Sequence, residues 1–154
     1  MATNDNFGTA VAMDGDYLAV SAAYDNSSEG AVYFFKKDTG AETWTQQSKI
    51  IPSDVASNDQ AGNIGSLSIS GDTVVMGANY ADPGGVSSAG AAYVFERDGT
   101  SWTETKKFIS NKHITTDGRF GISVGVSGTT VVAGAAYEDV DSVTHAGALH
   151  VFDK

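Results

Sequence analysis

Three tyrosines fall at one place in the chain's internal periodicity: Tyr24, Tyr80 and Tyr137. Acidic or amide groups follow them, at Asp25 and Asn26, at Asp82, and at Glu138 and Asp139. A phenol ring beside a carboxylate suits a sugar or a cationic ligand. The ring supplies a flat apolar face with a negative quadrupole, and the carboxylate accepts hydroxyl or ammonium donors. The candidate ligand-binding residues are therefore Tyr24, Tyr80, Tyr137, Asp25, Asp82 and Asp139. Aromatics at equivalent points of a repeat also suit packing between repeats, with the hydroxyl satisfied internally.

The remaining chemistry is sparse. Glu138, Asp139 and Asp141 form an acidic cluster that fits either a hard cation or a solvated loop. His113, His145 and His150 show no paired metal-ligand spacing. There is no Cys, which excludes disulfides, thiolate metal sites and Cys nucleophiles. The serines form no GxSxG elbow, and the glycines follow neither GxGxxG nor Walker order. Asn26-Ser27-Ser28 is a glycosylation triplet of a kind that also arises by chance. No catalytic residue is assigned, and the chain reads as a non-enzyme.

Composition narrows the partners. Nine basic against 19 acidic residues give a net charge of −10. That balance disfavours nucleic acid and anionic membrane. No window is apolar enough to span a bilayer. The opening MATNDNFG has neither a basic region nor an apolar core, so no signal peptide is expected there. At 154 residues the chain fits one domain that buries roughly two-thirds of its unfolded surface.

The elements that must position these residues repeat three times. Gly15, Gly71 and Gly128 mark one landmark, and Gly30, Gly90 and Gly147 a second. Within each copy a small apolar strand, such as Gly8–Met13, is expected to be buried. It meets Asp14-Gly15, Ser70-Gly71 or Ser127-Gly128, each read as a two-residue hairpin turn with Gly at φ > 0. A second strand, a polar loop and a β-prone third strand follow: AVYFFKK, AAYVFER and ALHVFDK. Copies 1 and 2 add a fourth strand, Trp44–Ile51 and Trp102–Ile109, and copy 3 has none. No segment shows a helical period. The fold class is all-β: four-stranded antiparallel blades of a β-propeller, three per chain. Blade 1 spans about 7–51, blade 2 about 64–109, and blade 3 about 120–153 without its outer strand.

These residues resemble the FG-GAP repeat family, in its bacterial and marine branch related to the integrin alpha-chain propeller. The resemblance rests on Phe7-Gly8, Phe120-Gly121, the turn glycines, Val132-Ala133-Gly134-Ala135, the third strands, and Trp44 and Trp102. Copy 2 places Ile64 where the Phe stands and is one residue shorter before its turn. The resemblance implies a propeller used at cell surfaces or in secreted proteins for adhesion and ligand binding. Integrin-type repeats bind calcium in an acidic loop between strands 1 and 2. Here that loop is a two-residue turn, too short to supply the 6–8 oxygens calcium takes. No cofactor is therefore expected; calcium stays open elsewhere in the chain but is not supported by these loops.

Three blades do not close a ring. The expected partners are a second copy, completing a six-bladed ring head to tail, or the remaining blades of a longer chain. A protein or glycan ligand fits the tyrosine face. A carbohydrate-binding, lectin-like propeller is the alternative function. The setting expected is extracellular or cell-surface.

Overall fold

In the computed structural model, residues 2–110 and 114–154 are described. Their strands form three antiparallel sheets. Blade 1 orders β1 (Phe7–Asp14), β2 (Tyr17–Ala22), β3 (Ala31–Asp38) and β4 (Thr43–Ile50). Blade 2 orders β5 (Leu67–Ser70), β6 (Thr73–Ala78), β7 (Ala91–Asp98) and β8 (Ser101–Phe108). Blade 3 holds β9 (Phe120–Ser127), β10 (Thr130–Ala135) and β11 (Ala148–Asp153), with no fourth strand beside β11 among the described residues. Gly15, Gly71 and Gly128 take φ of 55°, 56° and 57° at the hairpin turns. That is the left-handed conformation the Asp-Gly and Ser-Gly pairs demand.

The core lies between blades. Alternation along β2 and β3 sends Ala19, Val32 and Phe34 toward blade 2, where they meet Val74, Met76, Tyr93, Phe95 and Trp102. Phe34 stacks on Trp102 at 4.3 Å. The next joint repeats the scheme. Val75, Ala92 and Val94 of blade 2 pack on Phe120, Val131, Ala133 and Ala135 of blade 3, with Phe108 stacked on Phe152 at 4.3 Å.

Each joint is also a backbone joint. Asn58, Gln60 and Ala61 donate their N–H groups to the carbonyls of Ser27, Ser28 and Glu29 at 3.3, 2.9 and 2.9 Å. One repeat later, Asp117, Arg119 and Phe120 donate to Ser87, Ser88 and Ala89 at 2.9, 3.0 and 2.9 Å. The hairpin turns are tied as well. Gly71 N–H donates to Asp14 Oδ2 at 2.7 Å, and Gly128 N–H to Ser70 Oγ at 3.4 Å.

This joint corrects the alignment of copy 2. Ala61-Gly62, not Ile64-Gly65, stands where Phe120-Gly121 stands. Gln60 and Arg119 share left-handed φ of 50° and 54°, and Gly62 and Gly121 share 79° and 82°. Ile64 instead lies exposed in the longer segment between Gly62 and β5. A second expectation also changes. Strand β1 is mostly exposed, with Val11 and Met13 open to solvent. Its equivalents β5 and β9 each pack on the preceding blade, which β1 lacks.

Gly30 and Gly90 sit where the joint is tightest. A Cβ on either would lie 2.6 Å from the amide nitrogen of Ala61 or Phe120, and both hold φ near +90°. Gly128, with the same sign of φ, faces open space. Gly128→Ala is expected to cost about 1 kcal/mol, the left-handed penalty alone. Gly90→Ala adds a backbone collision and is expected to cost at least about 3 kcal/mol. Urea denaturation of the two variants checks the difference. Equal losses would mean the joint yields.

Candidate functional site

The loops after β2 and the segments entering each blade gather on one face. The structure divides the six candidate residues by role. Tyr80 and Tyr137 come together across the joint between blades 2 and 3. The guanidinium of Arg119 lies 4.8 Å from the Tyr80 ring and 5.3 Å from the Tyr137 ring. Its Nη1 donates to the Tyr80 hydroxyl at 3.3 Å. Tyr137 is about two-fifths exposed and meets His145 edge-on at 5.7 Å. Asp117, Arg119, Tyr137 and His145 line a shallow pocket there. Tyr24 is equally exposed but stands apart, lining a separate hollow with Phe7 and Ile64.

The three aspartates hold the fold. Asp82 Oδ1 accepts from Ser88 N–H, and Asp139 Oδ1 from His145 N–H, each at 2.7 Å. These are equivalent braces across the two longer loops. Asp25 is buried. It accepts from the Tyr33 hydroxyl and from Lys49 Nζ, both at 2.7 Å. Burial pushes the Asp25 carboxyl up, but the hydrogen bonds from Lys49 and Tyr33 and the Lys49 charge outweigh it and hold it below the ordinary value.

That cluster recurs with altered parts. In blade 2 the position of Asp25 holds Ala81, and the carboxylate comes instead from Asp54 in the linker. Asp54 accepts from the Tyr93 hydroxyl at 2.8 Å and from Lys107 Nζ at 2.6 Å. Burial, then the bond to Asp54, raises the Tyr93 hydroxyl above its usual range. In blade 3 the buried Glu138 Oε2 lies 2.8 Å from His150 Nε2. Glu138, Asp139 and Asp141 therefore do not converge: Glu138 turns inward to His150, and Asp139 braces its loop. Among the described residues no three His, Asp or Glu side chains are placed to share a metal ion. His113 lies outside the described residues.

Sequence reasoning missed Lys49, Lys107, Asp54 and Arg119. The third residue of each third strand, Tyr33, Tyr93 and His150, was the available signal for the buried clusters. Arg119 had a signal too, as the one charged residue of the set Asn6, Gln60 and Arg119 that opens each blade.

The Asp25 pair makes a pH prediction. A carboxyl lowered on folding stabilises above its unfolded value, near 3.8, and the gain is lost as pH falls through the folded value. Asp25→Asn is expected to cost about 1–3 kcal/mol at pH 7 by urea denaturation. The gap to the parent chain should narrow as the pH falls below 3.8. A gap constant with pH would mean that the charge contributes nothing.

Comparison with known families now bears on these sheets. The FG-GAP repeat model matches residues 1–35, 44–95 and 102–152. Curated proteins give no match. The second and third matched units begin on the fourth strand of one blade and end on the third strand of the next. One sequence repeat thus stitches two blades together. The chain belongs to the FG-GAP repeat family, and its three sheets are blades of a partial β-propeller built from that repeat.

Proposed function

We propose that the chain is a non-enzymatic binding and assembly module of the extracellular, adhesive kind, whose two ends join a second copy head to tail in a six-bladed ring. FG-GAP propellers commonly serve in binding or adhesion, which supports the general class. The assembly reading rests on one observation: both ends carry half of the joint that the chain already makes twice.

At the leading end, Asn4 and Asn6 hold φ of 73° and 53°, the conformation of Asn58 with Gln60 and of Asp117 with Arg119. Among the described residues no loop receives their N–H groups as Ser27 and Ser28 receive those of Asn58 and Gln60. Gly8 keeps φ of +95° with nothing within 4 Å of a Cβ, whereas Gly62 and Gly121 are each pressed by the preceding blade. Phe7 is 40% exposed where Phe120 is fully buried.

At the trailing end, His145 takes φ of 53°, matching Ser28 and Ser88, whose carbonyls receive the joint. Leu149 and Val151 are 69% and 61% exposed. Their equivalents in blades 1 and 2, Val32 with Phe34 and Ala92 with Val94, are completely buried. An apolar face of this kind marks an interaction surface, and a head-to-tail contact closes where its rotation permits.

Light scattering on the purified chain is expected to give twice 15.9 kDa. Val151→Asp places a charge in the new joint and is expected to leave a folded monomer, since the residue touches no core in the single chain. A parent chain that is monodisperse, folded and 15.9 kDa would end the ring proposal. In that case the following blades of a longer chain would be the better occupant.

Carbohydrate binding on the tyrosine face is a second reading. The exposed Tyr137 ring beside a pocket favours it.

A further inference from the structure

Two arginines in this chain are held in the same way and finished differently. Arg97 lies 3.8 Å above the Tyr17 ring and 5.9 Å from Trp102. Its guanidinium is closed by the Asp72 carboxylate and by a bond to the Gly99 carbonyl at 2.8 Å. Arg119 is flanked by two rings in the same manner, Tyr80 and Tyr137. Among the described residues no carboxylate lies within ion-pairing distance of it, and its Nε, like that of Arg97, is buried without a partner. In a chain with 19 acidic residues, that cation opens on a pocket whose one carboxylate, Asp117, makes no ion pair with it.

We propose that the Tyr80–Arg119–Tyr137 cluster binds a carboxylate-bearing sugar, a uronate. The planar fork of Arg119 takes the carboxylate in the position that Asp72 occupies on Arg97. The exposed Tyr137 ring offers a flat apolar face for the sugar ring. Asp117, on the pocket wall, accepts from a sugar hydroxyl, a donor that a simple carboxylate such as acetate lacks. The acceptor on that wall is why a hydroxylated acid fits better than a simple anion.

The backbone supports a built position. Arg119 holds φ of 54°, a conformation that a long side chain adopts only where its surroundings enforce it. Its N–H bond to Ser88, and those of Asp117 and Phe120 beside it, do so. Gln60 stands in the same conformation at the first joint without a charge, and Asn6 does so at the leading end. The site thus arises at one joint only. The inference rests on the carbohydrate reading of the tyrosine face.

The test is titration of the full chain with galacturonate, galactose and acetate, followed by NMR. Galacturonate is expected to bind with a dissociation constant on the order of 1 mM, shifting resonances around Tyr80, Arg119 and Tyr137. Galactose and acetate should each bind at least tenfold more weakly. Arg119→Gln recreates the Gln60 environment, so it should keep the fold by circular dichroism and lose galacturonate binding at least tenfold. Tyr137→Leu should weaken binding with Arg119 intact. Equal binding of galactose and galacturonate at this cluster would overturn the uronate class while leaving a carbohydrate site. Acetate binding as well as galacturonate, or no binding of any sugar, would overturn the carbohydrate reading itself. Full galacturonate binding by Arg119→Gln would remove Arg119 from the site.

Discussion

The architecture depends on one close approach: the backbone of each blade entering the space beside a glycine of the blade before it. At Gly30 and Gly90 no room is left for a methyl group, and the intruding segment donates three N–H groups into the loop it meets. Such contacts satisfy backbone groups that burial would otherwise strand, each at a cost of about 1–3 kcal/mol. They also fix the angle at which the apolar faces meet. Phe34 on Trp102, and Phe108 on Phe152, stack because that angle has been set. Side-chain packing thus follows the backbone joint, and the same two faces recur at both internal joints.

The polar side chain buried on each third strand meets a carboxylate, itself buried in blades 1 and 3 and exposed in blade 2. Asp25 with Tyr33 and Lys49, Asp54 with Tyr93 and Lys107, and Glu138 with His150 occupy corresponding places in the three blades. The carboxylate comes from the loop after the second strand in blades 1 and 3 and from the linker in blade 2. Different residues therefore meet one requirement, that the phenol or imidazole on the third strand have a charged acceptor when buried. Lysine joins only where a fourth strand is present to carry it. The pair in blade 3 shows what the cluster becomes without that strand.

The blade pattern was legible because its signals are local. An Asp-Gly or Ser-Gly pair fixes a turn, and AVYFFKK or AAYVFER fixes an inner strand by its run of β-prone residues. The second copy was misaligned because its entry segment has Ala61 for the aromatic and two further residues before the turn. Only the matched φ values of Gln60 and Arg119, together with their bonds, reveal the register. Exposure of β1 was hidden for a related reason: its sequence is as small and apolar as that of β9, and what differs is whether a blade precedes it. Among the candidate site residues, Tyr80 and Tyr137 flank Arg119 while Tyr24 stands apart from them. Asp25 was not legible as buried, because its partners Tyr33 and Lys49 come from other strands. Arg119 was passed over because the periodicity that made the tyrosines visible drew attention to sameness.

Function in a repeat chain belongs where the repeats differ, and the physical reason lies in the joint. Asn6, Gln60 and Arg119 share one left-handed backbone conformation. For an asparagine that conformation costs little, and for an arginine about 1–2 kcal/mol. The joint holds the backbone whatever the side chain, because the bonds to Ser28 and Ser88 are made by the main chain. The side chain is thereby released from any structural duty and delivered to the loop face between two tyrosines. A substitution there changes chemistry without changing the angle between blades. The fold can therefore carry a charged, stacked, unpaired cation at one joint and a neutral amide at the next with the same framework.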